Sequence, residues 1–141
     1  MTDLRHNIPI QSAPAEVYAA LATESGMQGW WTRDTKMEPK VGGAAVFGFD
    51  RRGIVFRMKI DALDAGRKVR MSCSGDHPEW AGTTLEWQIE PKDGGTVLKL
   101  DHRGWREATD FCASCNTMWG NLMFRLKTFV ETGKANPQWT E

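Results

Sequence analysis

The hydrophobic positions change period twice along the chain. The opening segment, Leu4 to Gln11, reads as a short strand with weak alternation. Ser12 and Pro14 then give a helix-start signal, and Val17, Tyr18 and Leu21 supply one apolar face. Thr23 to Trp31 predicts a second short helix or turn, in which Gly26 and Gly29 lower helical propensity.

From there the period becomes two. Ala45, Phe47 and Phe49 alternate, and Asp50-Arg51-Arg52-Gly53 turns the chain. Ile54, Phe56, Met58 and Ile60 alternate with Arg57 and Lys59 on the opposite face, up to the turn Asp64-Ala65-Gly66-Arg67. Val69, Met71 and Cys73 follow, then a longer loop, Gly75 to Gly82, with His77, Pro78 and Trp80. Leu85, Trp87 and Ile89 alternate against Glu86, Gln88 and Glu90; Lys92-Asp93-Gly94-Gly95 turns again; Leu98, Leu100 and His102 share a face. Strict alternation broken by short turns predicts an antiparallel meander, buried on one face and wet on the other.

The period then returns to that of a helix. Cys115, Met118, Trp119, Leu122, Leu126 and Phe129 predict a helix over roughly Asp110–Thr132, stopped by Gly133 and kept from resuming by Pro137. Neither this helix nor the apolar sheet face tolerates exposure, so each covers the other. The expected fold is α+β: a curved antiparallel sheet of about six strands around a long C-terminal helix, with two short helices after the first strand.

The order of these elements resembles the START-like, or SRPBCC, helix-grip domains of Bet v 1 type. Within them it is similar to the family related to the C-terminal domain of the activator of Hsp90 ATPase (AHSA1-like). The likeness is carried by Ala13 to Leu21, by Trp30-Trp31-Thr32, and by Val41-Gly42-Gly43 followed by Phe47. It continues in Leu100-Asp101-His102-Arg103-Gly104-Trp105, in Trp119 to Lys127 and in Glu131-Thr132-Gly133-Lys134. The resemblance implies a cavity beneath the last helix. It implies little chemistry, since the superfamily includes lipid carriers, hormone receptors, polyketide cyclases and aromatases, and function lives in the site.

Composition narrows the classes. The 141 residues favour one domain over 1–141, long enough to form its own core. Eighteen basic residues balance eighteen acidic ones, so no electrostatic footprint for nucleic acid is present. No apolar run is long enough for a membrane span, and Met1 to Ile10 lacks the pattern of a signal peptide. Three cysteines without such a signal argue against a disulfide framework and for a cytoplasmic location. Monomer and homodimer both remain open.

Seven tryptophans and seven methionines supply broad, adaptable apolar surface, which suits a ligand cavity as well as a core. Trp30, Phe47, Phe49, Met58, Met71, Trp87, Met118, Trp119 and Leu122 are expected around such a cavity, with His102 as its orienting polar group. The leading expectation is a non-catalytic, or at most weakly catalytic, binding domain for a small apolar ligand, without a cofactor. One alternative is an enzyme of the cyclase or hydrolase kind, with His102 and a loop carboxylate among Asp76, Glu79, Glu107 and Asp110 as acid and base. Another is a protein-interaction or co-chaperone-like module displaying Trp31, Trp105 or Trp139. Cys112-x-x-Cys115 opens the last helix, where the helix dipole lowers a thiol pKa; with Cys73 and His77 it makes a four-ligand set of the kind zinc favours. Neither convergence of the four nor a thioredoxin-like context is evident, so inert packing is the expectation. Asp110 is the expected cap of the last helix.

Overall fold

In the computed structural model, which describes residues 2–141, seven strands and three helices follow one another. The order is β1 (Thr2–Ile10), α1 (Pro14–Ala22), α2 (Glu24–Trp30), β2 (Thr35–Met37), β3 (Ala44–Phe49), β4 (Ile54–Asp64), β5 (Lys68–Cys73), β6 (Thr84–Lys92), β7 (Gly95–Trp105) and α3 (Asp110–Thr132). Met1, the first residue of the expected domain, lies outside the described residues.

The strands form one antiparallel sheet in the order β1-β7-β6-β5-β4-β3-β2. Register keeps the alternating apolar residues on one buried face: Met58 opposes Cys73, Met71 opposes Leu85, and Trp87 opposes Leu100. A slip of one residue would turn the whole set to solvent, so the pattern itself pins the pairing. An irregularity between Ile60 and Ala62 breaks the β4–β5 ladder, the kind of kink that lets a strand bend and twist around a helix. The β6–β7 hairpin turns through Asp93 and Gly94 at φ 50° and 79°, the positive angles that such a two-residue turn needs.

Two details sharpen the reading of the sequence. β2 is a seventh strand beyond the expected six; its three residues, paired with Ala45 to Phe47, are too few to display alternation. Thr23 to Trp31 contains a true helix despite its glycines. The Thr23 hydroxyl accepts the Gly26 N–H at 2.9 Å, capping α2, while donating to Ala19 O at 2.6 Å. The glycines serve close packing: a Cβ on Gly26 would strike the Ala19 carbonyl of α1, and one on Gly29 would strike the Phe129 ring of α3.

α3 spans the predicted residues. Gly133, at φ 74°, ends it and donates its N–H to Phe129 O at 2.8 Å. Its cap is Thr109 rather than Asp110: the Thr109 hydroxyl accepts the Cys112 N–H at 3.1 Å, so Asp110 is already the first helical residue. The buried stripe Cys112, Cys115, Trp119, Leu122, Met123 and Leu126 faces the sheet. Trp119 lies at the centre, its ring against those of Trp31, Trp80, Trp87 and His102.

Candidate functional site

At the N-terminal half of α3 the grip stays open. A cleft of about 370 Å³ lies there, toward the small end of the pockets that hold organic ligands. The β3–β4 hairpin contributes Phe49, Asp50, Ile54 and Phe56, and the β5–β6 loop contributes His77 and Trp80. α3 contributes Phe111, Cys115 and Met118; Trp31 and Trp139 close the remaining side.

The walls are held by ring contacts. Phe56 stacks on Trp80 with centroids 4.2 Å apart and planes 18° from parallel. His77 stacks on Phe111 at 4.2 Å and 9°. Trp139 presses edge-on against Phe49 at 4.8 Å. Trp139 is placed by the tail after α3, which runs beside the segment after α2: Trp139 N–H donates to Trp31 O at 3.1 Å and Arg33 N–H to Trp139 O at 2.9 Å. The tail is tied to the hairpin through Arg51, whose backbone N–H donates to Glu141 O at 3.1 Å and whose Nε donates to the Glu141 carboxylate at 2.6 Å. Asp50, Arg51 and Arg52 all sit in the left-handed region, at φ 51°, 54° and 63°. For non-glycine residues that costs about 1–2 kcal/mol each. Arg51 to Glu141 and Arg52 to Asp34, at 2.9 Å, tie the strained turn down.

His102 lies behind this floor, fully buried. Its Nδ1 accepts the indole N–H of Trp119 at 3.1 Å. Because an indole only donates, the imidazole proton is on Nε2, which donates to Thr83 Oγ1 at 2.8 Å. The Thr83 hydroxyl passes its own proton to Trp80 O at 2.7 Å. Burial pushes the His102 pKa down to about 3, so the ring is neutral at physiological pH. Both nitrogens are engaged inside the protein, and neither reaches the cleft. The residue read from sequence as acid, base or orienting group instead anchors Trp80, whose ring edge it also meets at 4.6 Å.

The structure sorts the other expected residues. Phe49 and Met118 line the cleft, as do Cys115 and His77 from the considered metal set. Trp30, Phe47, Met58, Met71, Trp87, Trp119 and Leu122 pack in the core behind it. Trp30 satisfies its indole N–H on Ala20 O at 2.9 Å. Trp31 and Trp105 are buried, which corrects the expectation that they display an apolar patch, while Trp139 is half-buried at the cleft.

Among the described residues no three His, Cys, Asp or Glu side chains come together as metal ligands. Cys73, Cys112 and Cys115 are free and buried. Burial raises all three thiol pKa values, Cys73 to about 11, so desolvation outweighs the helix-terminus effect expected for Cys112 and Cys115. The loop carboxylates form no acid–base pair facing the cleft. Asp76 pairs with Arg57 and accepts its backbone N–H, and Glu79 accepts the Thr109 hydroxyl. Glu107 and Asp110 are exposed.

Phe56, Trp80 and Phe111 were not singled out from sequence as cleft residues. The signal for Trp80 was present: one large aromatic within a polar, glycine-rich loop folds inward to hide its surface. Trp80 N–H to His77 O at 3.0 Å and Thr83 N–H to Trp80 O at 2.9 Å close the loop around it.

Comparison with known proteins agrees with this architecture. The family model described as Activator of Hsp90 ATPase homolog 1-like protein matches residues 11–131. No curated protein matches the chain. Among solved structures, the Aha1 dimer from Colwellia psychrerythraea is 34% identical, with a TM-score of 0.87 over 96% of this chain and 100% of that one. A Staphylococcus saprophyticus protein shares the fold at 13% identity, with a TM-score of 0.81 over 99% of this chain and 98% of its own. A Mesorhizobium loti protein does so at 16% identity, with a TM-score of 0.82 over 92% and 96%. Among the described residues no helix is long and apolar enough to cross a membrane.

Proposed function

The chain belongs to the Activator of Hsp90 ATPase homolog 1-like family, and from that premise we propose that it binds a small apolar ligand in the cleft at the open end of the grip. The observation that carries this reading is the cleft itself: about 370 Å³ walled almost wholly by rings, a thioether and an aliphatic chain. Such surfaces gain by excluding water from a flat apolar molecule. The neutral, enclosed state of His102 favours binding over turnover, because the imidazole offers the cleft neither proton donor nor acceptor.

Native mass spectrometry of freshly purified protein tests this, alongside titration with 2-acetylnaphthalene followed by tryptophan fluorescence. The expected results are an organic adduct lost on denaturation, or saturable quenching weakened about tenfold in Trp139→Ala. A bare mass together with no saturable response would overturn the reading.

Self-association is a second reading, favoured by Phe124, which is 65% exposed on α3, and by the dimeric state of the Colwellia psychrerythraea relative. Light scattering should give twice the chain mass, falling to one chain mass in Phe124→Asp. A monomer at 100 μM would remove this reading.

A further inference from the structure

The cleft is apolar; among its lining residues the indole N–H groups of Trp31 and Trp80 are buried without a partner, while the imidazole of His77 is half-buried and held in a fixed place. His77 lies face to face on Phe111 and edge-on to Phe56, with centroids 6.2 Å apart, so its ring plane is set from two sides. The Glu79 backbone N–H donates to His77 Nδ1 at 3.1 Å. That nitrogen is therefore an acceptor, and the ring proton of the neutral form is on Nε2. Among the described residues no protein atom accepts it. The half-buried ring thus presents a free N–H from the rim of a cleft whose other walls are mostly carbon.

Charge narrows the partner. The lining contains no lysine or arginine, and its one carboxylate, Asp50, has no ion pair among the described residues. An anionic ligand would meet no fixed cation here and would face that carboxylate. A neutral acceptor on a flat body meets none of this penalty.

We propose that His77 is the specificity-determining group of the cleft, and that its ligand is a small planar aromatic molecule with one neutral acceptor oxygen, a ketone or amide carbonyl, received by His77 Nε2–H. The aromatic body lies among the Phe56–Trp80 and His77–Phe111 stacks, and the carbonyl supplies the partner the imidazole lacks. This rests on the binding reading above and adds the chemical class. A single well-placed hydrogen bond is worth roughly a three- to tenfold preference.

The test compares 2-acetylnaphthalene with 2-isopropylnaphthalene, which has the same outline without the acceptor, at pH 8 by tryptophan fluorescence. The wild type should prefer the ketone three- to tenfold. His77→Phe keeps a flat ring on Phe111, and should bind the two probes equally and the hydrocarbon as the wild type does. Histidine side-chain 15N spectra of the unmodified protein give a second readout, independent of whether the variant folds. The His77 Nε2 resonance should move with the ketone and stay with the hydrocarbon, while His6 reports neither. Equal binding of both probes by the wild type would overturn the role of His77 and leave the binding reading standing; binding of neither would overturn the role of His77, and with a bare native mass the binding reading as well. A preference that survives in His77→Phe would assign the donor elsewhere. Tighter binding of 2-naphthoate than of the ketone would overturn the neutral-acceptor class.

Discussion

The indole N–H of Trp119 donates to Nδ1 of His102 across 3.1 Å, joining the centre of α3 to β7 through a bond that water does not reach. The bond fixes the tautomer of His102, and the tautomer fixes the direction of the chain of bonds through Thr83 to the Trp80 carbonyl. A polar chain of this kind, satisfied at every atom, holds together the elements that form the cleft floor.

That chain makes stability depend on pH. The His102 pKa is about 3 in the folded protein and near 6.5 when exposed. Between these values the unfolded chain binds a proton that the folded chain refuses. Stability is therefore full above about pH 6.5 and falls as pH drops, by about 1.4 kcal/mol per unit, until roughly pH 3. Urea unfolding at pH 7 and pH 5 should show about 2 kcal/mol lost through this group. In His102→Gln the protein should be destabilised by about 2–3 kcal/mol at pH 7 through unpaired buried groups, with a shallower acid slope. The same acid slope in both proteins would disprove the assignment.

Two glycines should respond oppositely to alanine. At Gly29 a Cβ would strike the Phe129 ring, so Gly29→Ala should cost about 1–3 kcal/mol as α2 and α3 are forced apart. At Gly120, within α3, the nearest atom is His6 Cε1 at 3.9 Å, so Gly120→Ala should raise stability by about 0.5–1 kcal/mol through helix propensity. Thermal midpoints of the two variants moving the same way would contradict this packing.

The cap assignment separates adjacent residues. Thr109→Ala should cost about 1 kcal/mol, recovered in Thr109→Ser, whose hydroxyl can accept the same N–H. Asp110→Ala should cost less, about 0.3–1 kcal/mol, through the helix dipole alone. Chemical denaturation of the three variants ranks them, and a larger loss at Asp110 would restore the cap read from sequence.

All three thiols should resist a disulfide reagent at pH 8 in the folded protein and react rapidly once it is unfolded, with Cys73 the slowest. Burial and raised pKa act together, since the thiolate is the nucleophile. Fast reaction of Cys112 or Cys115 in the native protein would revive the redox reading.

The fold was legible because the half-buried sheet and the gripped helix each repeat their apolar positions at their own period. Phe56, Met58 and Ile60 announce one face of a strand, and Trp119, Leu122 and Leu126 one stripe of a helix. β2 escaped because Thr35 and Met37 are only two inward positions. The cleft was harder to read. Periodicity assigns a residue to a face but does not say where along that face the packing ends, so Met58, Trp87 and Phe49 look alike. Of the three, only Phe49 lies at the edge where the core meets the cleft. His102 and His77 show the same limit from the polar side. Both approach the interior, and what distinguishes them is whether the second ring nitrogen finds a partner, which depends on Trp119 and Thr83 in one case and on nothing in the other.

Strand β1 pairs with β7, so Arg5 meets Asp101 across 96 residues of chain. On a ribosome adding about 5–20 residues per second, β1 waits on the order of 5–20 s for its only neighbour to emerge. During that interval Leu4, Ile8 and Ile10 have no sheet to join, while β3 to β6 can zip locally as each hairpin is completed. The β1–β7 pairing therefore closes the longest loop of the sheet, the kind of non-local pairing that slows folding. Until then the nascent chain is most exposed to aggregation through the apolar face of β1.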